Sequence, residues 1–144
     1  MALKIDLKPN ERLIINGVSI RNGDRRASLT FETQAKFLRE RDILTESEAV
    51  TSCERLYVLL EAIYLTDNPS ELENEFIIQA NVLMAAAPSM APYLATIFER
   101  FSNGEYYAAL KSGQELMKYE RNLLDIIATK NDDRDHALSK ASTN

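Results

Sequence analysis

Residues 14–26 read IINGVSIRNGDRR, with two Asn-Gly pairs set between short aliphatic runs. Asn-Gly suits the central positions of a type I′ turn, because both need positive φ and the turn's twist matches that of paired strands. Two such turns predict a three-stranded antiparallel meander of Leu13–Ile15, Val18–Arg21 and Ala27–Phe31, its middle strand very short. Leu13, Ile15, Val18, Ile20, Leu29 and Phe31 would form its inner face. A sheet this small is marginal alone, so the rest of the chain must cover it.

Two further segments belong with these strands. Leu3, Ile5 and Leu7 alternate with Lys4, Asp6 and Lys8, the period of a half-buried strand, until Pro9-Asn10 breaks it. Lys36–Leu44 fits either helix or strand; it is read as an extended passage from sheet to helices.

From Thr45 the pattern turns helical. Thr45-x-x-Glu48 and Thr51-x-x-Glu54 both fit the capping box, and the second opens a helix with Leu56, Leu59, Leu60, Ile63 and Tyr64 on one face. Asn68 as cap and Pro69 at the first helical position start the next, with Leu72, Phe76, Leu83 and Ala87 inward. Pro88 and Pro92 bracket a break before a short helix from Tyr93 to Phe101, which Ser102-Asn103-Gly104 stops. Glu105 to about Ala128 forms the longest helix, with Leu110, Met117 and Leu124 on one stripe and Leu116, Leu123 and Ile127 beside it. The fold class is therefore α+β: a small N-terminal antiparallel β-meander packed against a C-terminal bundle of about four helices. One domain covers 1–130, divided into a strand-rich basic part (1–44) and a helical acidic part (45–130). The polar tail 131–144 is expected to be disordered.

At 144 residues, 45% of them apolar, the chain can bury a core without disulfides or metals. The single cysteine, Cys53, has no internal partner, which favours a reducing compartment. The N-terminus MALKIDLKPNE lacks the continuous apolar run of a secretory signal. Ile77–Ala95 is nearly uncharged and of about membrane-spanning length, but Gln79, Asn81, Pro88, Ser89 and Pro92 interrupt it, so a buried helix-break-helix unit is favoured and no membrane partner is expected. Catalysis finds no foothold. Walker, nucleophile-elbow, zincin and dinucleotide motifs are absent from the sequence, and no cofactor is expected. His136 stands alone among Asp132, Asp133 and Asp135, without the His or Cys company of a metal site. Glu71, Glu73 and Glu75 suit the first turns of a helix, where negative charge complements the macrodipole.

Charge is distributed unevenly. Residues 1–41 carry nine basic and five acidic groups, a balance of +4 within a chain of net charge −5. Two readings of the basic third stand side by side. Arg21, Arg25 and Arg26 guard a sheet edge against pairing with other chains, with Asp24 muting them. Alternatively Arg21, Asn22, Arg25, Arg26, Lys36, Arg39 and Arg41 contact nucleic acid, for which arginine's planar, bidentate fork is suited. The strands lack the paired exposed aromatics of a base-stacking sheet. Met84 and Met90, in small-residue surroundings, form either core or an adaptable protein-binding surface.

The run LKIDLKPNERLIING at residues 3–17, with Asn22-Gly23-Asp24-Arg25-Arg26, then FLRERDIL at 37–44, resembles the FlbT family of alphaproteobacterial flagellum-biosynthesis regulators. The likeness runs to about Ala128 and takes in Arg55-Leu56-Tyr57 in the first helix. It implies a cytoplasmic, non-enzymatic, post-transcriptional repressor that binds the 5′ untranslated region of flagellin mRNA and blocks translation or promotes decay. Some relatives behave as activators. No set of RNA-contacting residues comes with the resemblance, so the candidates above rest on charge. A balance of +4 is modest, and firm binding would need a homodimer or an assisting partner. The competing reading is a chaperone-like module whose helical surface holds flagellin or another flagellar factor.

Overall fold

A computed structural model describes residues 2–141. Five strands come first: β1 (Leu3–Leu7), β2 (Arg12–Ile15), β3 (Val18–Arg21), β4 (Ala27–Phe31) and β5 (Phe37–Arg39). A 3-10 turn at Glu40–Asp42 leads towards four helices: α1 (Ser52–Leu65), α2 (Ser70–Ala86), α3 (Ala91–Ser102) and α4 (Tyr106–Ala141). The α+β class holds, and Lys36–Leu44, expected to be extended throughout, is strand only at Phe37–Arg39 before the 3-10 turn.

The meander is replaced by two sheets. Asn16 and Gly17 both have positive φ (48° and 81°), as a type I′ turn demands, and they join β2 to β3. Asn22 and Gly23 do not, and β4 pairs with β1 instead of β3, with Ile5 opposite Leu29. The second Asn-Gly is a corner at which the chain leaves one sheet for the other. The Asn22 carboxamide builds it by donating to the carbonyl oxygens of Lys8 (2.8 Å) and Arg25 (2.9 Å) and accepting from Gly23 N–H (2.9 Å). Short polar side chains often replace backbone turn bonds in this way. β5 completes the second sheet in the order β3-β2-β5, with Leu13 opposite Arg39.

This arrangement corrects the expected inner face. Leu13, Ile15, Leu29 and Phe31 do pack inward, but against Ile5, Leu7 and Phe37 in a small core between the two sheets. The other face of β2 and β5 sends Ile14 and Leu38 into the main helical core. Three layers result: the β1-β4 ribbon, the β3-β2-β5 sheet and the helices. Edge strand β3 lies outside this stack, so Val18 and Ile20 are exposed.

In the helical part Thr51 and Glu54 form the capping box of α1, with Glu54 N–H donating to Thr51 Oγ1 and Thr51 N–H to Glu54 Oε1 (2.9 Å). Thr45 and Glu48 close only a turn. Pro69 takes the cap position of α2, one residue later than expected, with Phe76 and Leu83 buried. Pro88–Met90 makes the 3-10 break before α3, and Gly104, at φ 77°, ends the following turn. No helix among the described residues is long and apolar enough to cross a membrane.

α4 runs antiparallel along α1: Tyr107 meets Tyr64, Gln114 meets Tyr57, and Glu120 accepts from Cys53 N–H. It continues to Ala141, well past the expected end near Ala128, so 131–141 is helical where a tail without structure was expected. Residues 142–144 of that tail lie outside the described residues, as does the side chain of His136.

Candidate nucleic-acid interface

The Asn22 corner gathers basic groups from three strand ends. Arg21 closes β3 and faces Arg12 directly across the β2–β3 pair, while Arg25 and Arg26 follow the corner and lead into β4. Lys8 supplies one of the carbonyls that Asn22 holds. Arg21 donates to Asn10 O (2.9 Å), which fixes its direction. Arg25 and Arg26 are exposed, and among the described residues no carboxylate, Asp24 included, lies within ion-pair distance of either.

Two arginines opposite each other in a sheet repel. Among the described residues, Arg12 Nε is moreover buried without a hydrogen-bond acceptor. An unpaired buried donor costs free energy. Arg12, like Lys4 and Lys8, is a basic residue that sequence reasoning left out of the candidate set. Its only signal was a register opposite Arg21, and that register follows from the Asn16-Gly17 hairpin.

Three other candidates divide. Lys36 sits at the far end of β5, where its Nζ donates to Thr66 O (3.1 Å) at the C-terminus of α1. A cation there satisfies an end carbonyl and the helix dipole, so Lys36 is a pin in the fold. Arg39 is also committed, to Asp6 O (2.6 Å) and Glu11 Oε2 (3.2 Å), and ties β5 to β1. Glu11 in turn accepts the Lys8 N–H, and this bond together with Arg39 outweighs burial and holds its carboxyl below the usual range. Arg41 is exposed at the centre of the 3-10 turn.

Arg41 lines a cavity of ≈ 400 Å³ where the layers meet, with Ile5, Phe37, Tyr64 and Tyr107 on its walls and Asp42 behind. The Asp42 carboxylate is buried and accepts Lys111 Nζ (2.7 Å), Gln114 Nε2 (2.9 Å) and Tyr107 OH (3.1 Å). Burial raises this carboxyl, but the three donors and the Lys111 charge outweigh it and hold it ionised below the usual carboxylate range. The network fixes Tyr107, 41% exposed, at the cavity mouth beside Tyr64, their ring centroids 5.8 Å apart. These aromatics come from α4 and α1, so no strand pattern announces them. Arg41 and the cavity lie by Leu3 and Ile5, Arg39 reaches Asp6, and Arg26 precedes the residue opposite Leu7. The basic groups therefore follow β1 from one end to the other.

Residues 3–124 match the model of the family described as flagellar protein FlbT. The chain belongs to this family. Among its FlbT relatives, the probable flagellum biosynthesis repressor protein FlbT 1 of Bradyrhizobium diazoefficiens is 36% identical over 124 residues, 85% of either chain. The probable flagellum biosynthesis repressor protein FlbT of Caulobacter sp. strain K31 is 33% identical over 123 residues, 83% of this chain and 94% of its own. The flagellum biosynthesis repressor protein FlbT of Caulobacter vibrioides (strain ATCC 19089) is 31% identical over 132 residues, 90% of this chain and 94% of its own. No solved structure matches the chain.

In this FlbT-family fold the methionines do not form a shared surface. Met90 is buried, its sulfur 3.7 Å from Cys53 Sγ, and Met84 is half-buried against the core. Burial, foremost, and the nearby Glu120 carboxylate raise the Cys53 thiol far above its ordinary value, which keeps it protonated and unreactive. Among the described residues no three acidic, His or Cys groups sit together to hold a metal ion.

Proposed function

We propose that this chain is a cytoplasmic repressor of flagellum biosynthesis that binds the 5′ untranslated region of flagellin mRNA, blocking translation or promoting decay until assembly has advanced. The relatives' names supply the regulatory role, and the convergence of Arg12, Arg21, Arg25 and Arg26 on the Asn22 corner supports a polyanion as the target. Occupancy near a ribosome start site competes with initiation, so the protein needs no catalytic group. Arginines take the phosphates, and an unpaired base stacks on Tyr107 at the cavity mouth beside Arg41, as single-stranded RNA is commonly read.

The test is titration of a labelled flagellin leader over a salt series, wild type against Arg25→Ala/Arg26→Ala. Each lost phosphate contact reduces the slope of log K against log salt by about 0.7 for a single strand, so the double variant should flatten it by about 1.4. Equal affinity and slope for the two proteins would remove the corner from the interface. If flagellin then binds the helical surface while RNA binds nowhere, the chaperone-like reading takes its place.

A further inference from the structure

From Leu124 to Arg134 every residue of α4 is exposed, because the helix has passed the N-terminal end of α1, where Cys53 meets Glu120. The overhanging arm runs from Leu124 to Ala141, roughly 27 Å at 1.5 Å per residue. A helical arm of this length is marginal in water without packing. It nevertheless begins with uncovered apolar groups: Leu124 is 47% exposed, Ile126 53% and Ile127 46%. Further exposed aliphatics occur at the same end of the molecule, on the groove between α1 and α2. Ile78 (59%) and Val82 (69%) form one wall of that groove, Leu59 and Ala62 the other.

The two uncovered surfaces match in sequence. One face of α4 carries Leu123, half-buried against the helical core just before the arm begins, and then Ile127, Lys130 and Arg134 on the arm, at steps of four, three and four. Along α2, read backwards from the groove's open end, one face carries Val82, Ile78, Glu75 and Glu71 at the same steps. An arm laid antiparallel to α2 therefore sets aliphatic against aliphatic and then Lys130 and Arg134 against Glu75 and Glu71. Of the arm's four acids, Asp125 and Asp132 fall on its opposite face and Asp133 and Asp135 at its flanks.

The arm cannot fold back to reach the groove of its own chain, since it leaves the body on a continuous helix. We propose that it docks in the α1–α2 groove of a second copy, so that the protein is a two-fold dimer with reciprocally exchanged arms. The arm leaves the body at the end where the groove opens, so a two-fold axis there brings each arm to the other's groove. The contact is then made twice, carrying the buried area towards the roughly 1,200–2,000 Å² of stable pairs. The dimer is independent of nucleic acid and presents two arginine corners in one particle.

The experiment is light scattering on the full chain at micromolar concentration, with no RNA present. Wild type should be dimeric. Val82→Glu and Ile127→Glu, both at exposed positions, should each give folded monomers by circular dichroism. Lys130→Glu/Arg134→Glu should dissociate at least tenfold more readily than wild type, as should Glu71→Lys/Glu75→Lys. Combining all four reversals in one chain should restore dimerisation. A monomeric wild type overturns the proposal. So does a dimer that Ile127→Glu breaks and Val82→Glu leaves intact, which would mean that arm pairs with arm.

Discussion

The Asn22 carboxamide holds the carbonyl oxygen of Lys8 at 2.8 Å, across the gap between the two sheets. A second bond from the same nitrogen fixes the carbonyl of Arg25 at 2.9 Å, so one side chain sets where the exposed arginines stand. Asn22→Ala leaves these acceptors to water at a half-buried position. We expect a loss of about 1–2 kcal/mol, read as a lower urea midpoint with unchanged helix content. Weaker RNA binding should accompany it, although no charge has been removed. Glycine at this position should behave like alanine, because Asn22 has no positive φ to relieve.

Gly113 lies in the third turn of α4, where helix propensity alone favours alanine by about 1 kcal/mol. A Cβ there would stand 2.7 Å from Leu60 Cδ1 and 3.3 Å from the Tyr57 ring, both buried in the core of α1. Overpacking of this kind costs about 1–3 kcal/mol and outweighs the gain. Gly113→Ala should therefore lower stability by up to about 2 kcal/mol in thermal or urea unfolding. A more stable variant would show that α1 and α4 can move apart without cost.

How much of this was legible beforehand depended on whether the signal was local. The capping box at Thr51, the Asn16-Gly17 hairpin and the Pro88–Pro92 break each rest on a few adjacent residues, and each stands where the sequence put it. The Asn22-Gly23 corner has the same dipeptide as the hairpin, but its geometry depends on Lys8, far away in the chain. The three-layer stacking hides in β2, whose successive residues Leu13 and Ile14 serve different cores. Tyr64 and Tyr107 become neighbours only because α1 and α4 pack antiparallel. Lys36 and Arg39 carry the same charge as Arg25 and Arg26, and only their acceptors reveal that they belong to the framework.

Among the described residues, the ion pair with the most deeply buried carboxylate is Asp42 with Lys111, at 2.7 Å. Lys111 is partly open to solvent, so the pair is worth less than a fully buried one. Lys111→Met should cost about 2–3 kcal/mol and loosen Tyr107 at the cavity mouth. The pH dependence has a definite sign. A carboxyl held below its ordinary 3.8 contributes stability that is present above that value and lost as pH falls through the folded-state value. In Lys111→Met the folded-state value moves up towards 3.8, so the acid limb of a stability–pH curve should be shallower than in wild type. An unchanged limb would mean that Gln114 and Tyr107 alone hold the charge.

Glu61 has the opposite sign. It is buried on α1, and burial, foremost, pushes its carboxyl from an ordinary 4.5 up to about 7; the Leu44 N–H that it accepts (2.9 Å) works against the shift, and the charges of Glu48 and Asp42 add to it. Between those two values the folded chain binds a proton that the unfolded chain has released. Stability from this group is thus complete below pH 4.5, falls as pH rises to about 7, and is level above. Glu61→Gln keeps an oxygen for Leu44 N–H and removes the titration. The variant should be more stable than wild type by about 1–3 kcal/mol at pH 8, with the difference shrinking towards zero at pH 4.5. Urea unfolding followed by far-ultraviolet circular dichroism at pH 4.5, 6 and 8 measures this. A constant difference across the series would show that Glu61 does not titrate in this window.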